Sequence, residues 1–93
     1  MPPLSTDETK SLLTNLSNWQ IVSGELVKIF QFKDFVAAID FVNRVGKLAE
    51  QAGHHPDIDI RYNRVRLALT THDAGGLTHK DFDLAAQTEK LAG

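Results

Sequence analysis

HHPDIDIRYNRVRLALTTH, residues 54–72, decides the fold. Apolar residues alternate with polar ones through Ile58, Ile60 and Tyr62, and again through Val65, Leu67 and Leu69. This period-two pattern marks two half-buried strands. Asn63 and Arg64 stand between them and predict a two-residue hairpin loop. Such a loop sets Tyr62 opposite Val65, Ile60 opposite Leu67 and Ile58 opposite Leu69, so apolar meets apolar along one face. Carried outward, the ladder puts Pro56 opposite Thr71 and His55 opposite His72, with His54 one step away. Directly opposed residues have Cβ atoms ~5 Å apart. On the other face the same register sets Arg61 against Arg66, with Asp59 diagonal to Arg66. Pro56 keeps His55 extended and lacks an amide hydrogen, which suits the start of a strand.

Upstream, FKDFVAAIDFVNRVGKLAEQAG is the clearest helix. Phe35, Ala38, Ile39, Val42, Val45, Leu48, Ala49 and Ala52 recur at steps of three and four, and Gly53 stands where a left-handed residue would end it. Before it, NWQIVSGELVKIFQF is rich in strand formers and broken by the turn signal Ser23-Gly24. Phe30 and Phe32 share one face and Val27 and Ile29 the other, so this strand is apolar on both sides. At the start, STDE reads as a capping box from Ser5 to Glu8, opening a short helix edged by Leu12, Leu13 and Leu16. At the end, THKDFDLAAQTEKLAG reads as an amphipathic helix. The expected fold is therefore α+β, a four-stranded antiparallel sheet with three helices packed on one face, in the order α-β-β-α-β-β-α.

Composition narrows the function. Ninety-three residues fit one domain with one core and one shallow site. Ten basic against 12 acidic residues and a formal charge of −2 leave no electrostatic footprint for nucleic acid. Without cysteine there is no disulfide framework, thiolate nucleophile or cysteine zinc site. No apolar run approaches the ~18 residues of a membrane span, and MPPLSTDETK lacks the apolar core of a secretion signal. A cytoplasmic protein that touches neither membrane nor nucleic acid is expected.

Three imidazoles at one end of a sheet admit three uses. Metal binding is the weakest, because adjacent strand residues point to opposite faces and His54 and His55 would not converge on one ion. Histidines that merely bond nearby carbonyls are the ordinary case for a single ring. For three together, proton transfer leads: neutral and protonated imidazole coexist near neutral pH, so one ring donates while another accepts.

The spacing of these residues resembles the pterin-4a-carbinolamine dehydratases. Glu50, His54-His55-Pro56, Tyr62, His72 and Asp81 match the family's acidic-x3-His-His-Pro, aromatic, His and Asp pattern. FKDFVAAIDFVNRV and LTTHDAGGLT extend the likeness, so residues 1–93 are expected to form a single domain of this type. Ile58 and Lys80 stand where some relatives carry Trp and Arg. The resemblance implies loss of water from a 4a-hydroxy-tetrahydropterin, giving the quinonoid dihydropterin in tetrahydropterin recycling. It needs no metal or other cofactor. His54, His55 and His72 would be catalytic, supported by Glu50, Asp81, Pro56 and Thr71.

Asp81 admits two compatible roles. THKD is a capping box in its aspartate form, and the same position would set the carboxylate near His72 across the Gly75-Gly76 loop. Glu50 would hydrogen-bond the pterin's amide-and-amine edge or stay in solvent. The resemblance also implies self-association, as a homodimer or homotetramer, which would cover the second apolar face of the strand at 25–32. The rival reading is a protein-interaction module on the same fold, a dimerisation partner of a transcription factor or an assembly factor. An interaction module has no chemical need for the full histidine set.

Overall fold

The computed structural model describes residues 2–92. Helix α1 (Thr6–Leu13) leads into the hairpin β1 (Gln20–Val22) and β2 (Glu25–Gln31). Helix α2 (Phe35–Ala52) follows, then the hairpin β3 (Asp57–Arg61) and β4 (Arg64–Leu69). A 3-10 turn at His72–Ala74 precedes the last helix, α3 (His79–Ala92). The expected α+β order is found. All pairings are antiparallel and the sheet order is β1-β2-β4-β3, so the two hairpins meet through their inner strands. None of the described helices is long and apolar enough to cross a membrane.

One face of the sheet carries the core. Leu26 and Phe30 of β2 pair with Leu69 and Val65 of β4, and these join Leu67, Ala38, Phe41, Val45, Phe82, Leu84 and Ala85 in one buried cluster. Each fully buried leucine contributes ~2 kcal/mol by leaving water. Aromatic rings fill one end: Phe41 lies 4.8 Å from Phe30 and 4.9 Å from Phe32, and Trp19 meets Phe30 edge-on at 5.9 Å. The Trp19 indole N–H donates to Glu89 Oε1 at 2.7 Å, and Lys28 pairs with the same carboxylate, tying α3 to β2. The buried stripe of α2 runs Ala38, Phe41, Val45, Ala49. Phe35 and Ala52, expected on that stripe, are the first and last residues of the helix and are exposed, Phe35 to 46 %. On the face away from the helices, Ile29 is 58 % exposed.

The register of the second hairpin differs from expectation by two residues. Arg61 pairs with Arg64, Ile60 with Val65, Ile58 with Leu67 and Asp57 with Ala68, so the loop is Tyr62-Asn63. Tyr62 adopts φ 53, a left-handed conformation that bulky residues disfavour. Local preference argues against this turn, and a tertiary contact overrides it. Asn63 accepts from the Phe32 N–H at 2.9 Å through its carbonyl and donates from Nδ2 to the Phe32 carbonyl at 2.8 Å. Arg66 consequently faces Asp59 rather than Arg61, and Asp59 also accepts from Arg61 Nε at 3.0 Å. Because the slip is two residues, the strand side chains keep their expected faces, whereas Tyr62, expected opposite Val65, moves into the loop and is 66 % exposed.

Candidate functional site

The end of α2 delivers the first two histidines. Gly53 adopts φ 63 as the left-handed residue after the helix, where a side chain would be strained. Its N–H bonds the Glu50 carbonyl at 3.3 Å, and the His54 N–H bonds the Ala49 carbonyl at 3.2 Å. This paired closure turns the chain toward β3. His54 then faces the interior and His55 the exterior, the alternation of extended backbone.

The interior side is a closed hydrogen-bonded chain. Asp81, fully buried, meets His54 Nε2 at 2.5 Å through Oδ1. Its Oδ2 accepts from the Thr71 hydroxyl at 2.8 Å and from the Thr78 N–H at 2.9 Å. The Thr71 proton is spent on the carboxylate, so the 2.8 Å contact between the two threonine hydroxyls has Thr78 donating to Thr71. Thr78 Oγ1 in turn accepts from the Lys80 N–H at 3.3 Å. Asp81 therefore supplies one half of the expected capping box of α3, while the Thr78 hydroxyl caps Lys80 instead of Asp81, and the same carboxylate holds an imidazole. That imidazole is His54, not the expected His72, because the two-residue shift draws His54 level with Thr71. A carboxylate only accepts, so the ring nitrogen facing it, Nε2, is the one that carries a proton, and in the neutral ring Nδ1 is the acceptor.

The exterior side is open. His55 Nε2 pairs with Glu50 Oε2, with the two side chains 60 % and 78 % exposed. His72 begins the 3-10 turn and has no side-chain hydrogen bond among the described residues. Its position is set by Thr71, whose carbonyl accepts from the Ala74 and Gly75 amides at 3.0 and 3.1 Å and whose N–H bonds the Gly76 carbonyl at 3.2 Å.

The ladder does not extend to a direct pairing of His55 with His72, yet the three imidazoles still line one groove of about 270 Å³, together with Thr70, Thr71, Asp73 and Lys80. Glu50, Pro56 and Asp81 are not in its wall. Glu50 and Asp81 stand behind His55 and His54, and Pro56 is the residue before β3. Thr70 and Asp73 were not anticipated. Strand parity carries the signal for Thr70, which falls on the His55 face, whereas Asp73 lies in a turn without period. Among the described residues, no three His, Cys, Asp or Glu side chains are grouped to hold a metal ion.

The arrangement offers a pinned imidazole, a second imidazole on an exposed carboxylate and a third without a partner among the described residues, all lining a shallow groove. These are the components of acid–base chemistry on a small flat molecule.

Comparison with known proteins covers nearly the whole chain. The family model described as pterin 4 alpha carbinolamine dehydratase matches residues 2–91. A relative from Acidobacterium capsulatum is 57 % identical over 91 residues, covering 98 % of this chain and 99 % of its own. One from Chloroflexus aurantiacus is 58 % identical over 93 residues, covering both chains in full. Both carry pterin-4-alpha-carbinolamine dehydratase as a provisional name. Among solved structures, the transcriptional coactivator/pterin dehydratase from Brucella melitensis superposes with a TM-score of 0.94 at 34 % identity, over 98 % of this chain and 99 % of that one. A pterin dehydratase-like protein identified as a RuBisCO assembly factor in the alpha-carboxysome gives a TM-score of 0.67 at 26 % identity, over 81 % and 87 %. Sequence, fold and the gathered imidazoles lead to one assignment: the chain belongs to the pterin 4 alpha carbinolamine dehydratase family.

Proposed function

We propose that the protein dehydrates a 4a-hydroxy-tetrahydropterin to the quinonoid dihydropterin. The observation that carries the reading is the shared groove: three imidazoles line it, and one has its tautomer held by a buried carboxylate. In the reaction N5 loses its proton, and the N–H pair forms the N5–C4a double bond. The C4a–O bond breaks, and the hydroxyl leaves as water after taking a proton. His54, with Nδ1 free to accept, is suited to the base. His72, with no competing partner, is suited to protonate the leaving hydroxyl, and His55 on Glu50 orients the ring between them. Asp81 is a positioning residue that acts through His54, and Thr71 acts through Asp81. Pro56 serves by setting the backbone that separates His55 from β3.

We further propose that this occurs in the cytoplasm on a homodimer or homotetramer. The exposed Ile29 on the uncovered sheet face supports self-association.

The test is dehydration of freshly generated 4a-hydroxy-tetrahydropterin, followed by ultraviolet absorbance, for wild type and His72→Ala. We expect acceleration by wild type and a loss of about 10²-fold or more in kcat for the variant. A folded wild type without acceleration would overturn the dehydratase reading and leave the interaction module in its place.

A further inference from the structure

The groove does not end at His72. A second hollow of about 410 Å³ continues from it, sharing Thr70 and His72 and bounded on its far side by Ser23, Gly24 and Glu25 of the first hairpin. The sheet explains the continuity. Leu26 pairs with Leu69, so one step further Glu25 stands beside Thr70. On the other side the last pair is Asp57 with Ala68, and just beyond it His55 and Thr70 line the first groove together. Glu25, Thr70 and His55 thus form one row on the face away from the helices. Strands lie ~4.8 Å apart, so the row spans ~10 Å. With the amide-and-amine edge of a fused bicycle toward Glu50, which stands behind His55, the opposite end of the bicycle and its substituent lie along this row on the Glu25 side.

Glu25 is half-buried and makes no side-chain hydrogen bond or ion pair among the described residues, unlike Asp81, Glu50 and Glu89. Ser23 beside it adopts φ 51 and Gly24 φ 79. This turn geometry favours Asn-Gly, and Ser23 instead presents a hydroxyl there.

We propose that Glu25, with Ser23, selects the substituent on the substrate ring, accepting a neutral polyol and refusing an anion. The assignment rests on the dehydratase reading for the orientation of the ring. A free carboxylate and a hydroxyl accept hydrogen bonds from vicinal hydroxyls, whereas a substrate carboxylate or phosphate at the same place meets a like charge in a partly desolvated wall.

Binding tests it independently of turnover. Two stable 7,8-dihydropterins serve as probes, one with a neutral 1,2-dihydroxypropyl group and one with a carboxylate-ended group at the same carbon. Each is titrated calorimetrically against wild type, Glu25→Gln and Glu25→Lys at low and high salt. Wild type is expected to favour the neutral probe by about fivefold or more at low salt, less at high salt. Glu25→Gln brings the ratio toward one and Glu25→Lys inverts it. The same ratio in all three proteins overturns the proposal, whatever the turnover. A ratio that follows the charge at position 25 upholds it, even in a protein that proves not to dehydrate, and in that case the dehydratase reading alone falls. Wild type that binds neither probe overturns both.

Discussion

His54 and His55 are neighbours in the chain, yet each belongs to a different region of the molecule. His54 lies inside, 12 % exposed, on a carboxylate that water does not reach. His55 lies outside, on a carboxylate that water surrounds. The inner pair is embedded in a chain of donors and acceptors that runs to the first turn of α3. The outer pair is a single contact from the last turn of α2. An imidazole–carboxylate pair inside a low-dielectric network orients a ring and holds its tautomer. The same pair in water is largely screened and loses side-chain entropy to form. The inner region should therefore couple chemistry to stability, and the outer one should separate them.

Asp81→Ala should break this contrast hardest. It strands the Thr71 hydroxyl, the Thr78 N–H and His54 Nε2 in the interior, and we expect a loss of about 3–5 kcal/mol in urea unfolding. Asp81→Asn keeps the volume but offers an amide to the ring, so the acceptor at Nδ1 is no longer assured. Activity should fall by about 10²-fold or more while the protein still folds. Equal stability of Asp81→Ala and wild type would dissolve the distinction between the regions. Next, His54→Ala should cost about 1–2 kcal/mol and His55→Ala about 0.5 kcal/mol or less, measured side by side. Glu50→Gln should leave unfolding within about 0.5 kcal/mol of wild type. A larger effect would show that the outer pair is structural after all.

The smallest expected effect lies away from the site and supplies a control. Glu8 is held below its ordinary value of 4.5, chiefly by the Ser5 N–H that it accepts, then by the Ser5 hydroxyl, with the nearby charge of His79 adding to both. A carboxylate with a lowered folded value contributes stability above its unfolded value and loses it as pH falls through the folded one. Wild type should thus be slightly more stable than Glu8→Gln at neutral pH, and thermal melts should show the difference closing below about pH 4. A difference that widened in acid would reverse the sign of this linkage.

Much of this arrangement was legible in the sequence. Alternation placed Ile60, Leu67 and Leu69 on the side that faces the helices, with Ile58 on the same side but 37 % exposed, and the His-His-Pro spacing carried the family. The hairpin register was not legible, for a definite reason. A slip of two residues preserves every face, so alternation cannot detect it, and turn preference favours Asn63-Arg64 over a tyrosine at positive φ. Only the contact between Asn63 and Phe32, distant in sequence, decides the matter. The partner of Asp81 was hidden in the same way. Its spacing announced a helix cap, whereas the choice between His54 and His72 depends on how far β3 slides along β4.

The N-terminal segment also bears on the site. The Leu4 N–H bonds the Leu77 carbonyl at 2.8 Å, and a Cβ on Gly76 would come within 3.0 Å of Pro3. Gly76 is bridged to Thr71, so residues 3 and 4 clasp the loop that presents His72. During synthesis the two sides of this clasp are made near opposite ends of the described chain, and closing so long a span is among the slower events of folding. The loop that carries His72 is therefore expected to be among the last parts of the fold to close. Anything that draws residues 3 and 4 away, such as a purification tag or a fused partner, would loosen His72 without touching a single residue of the groove.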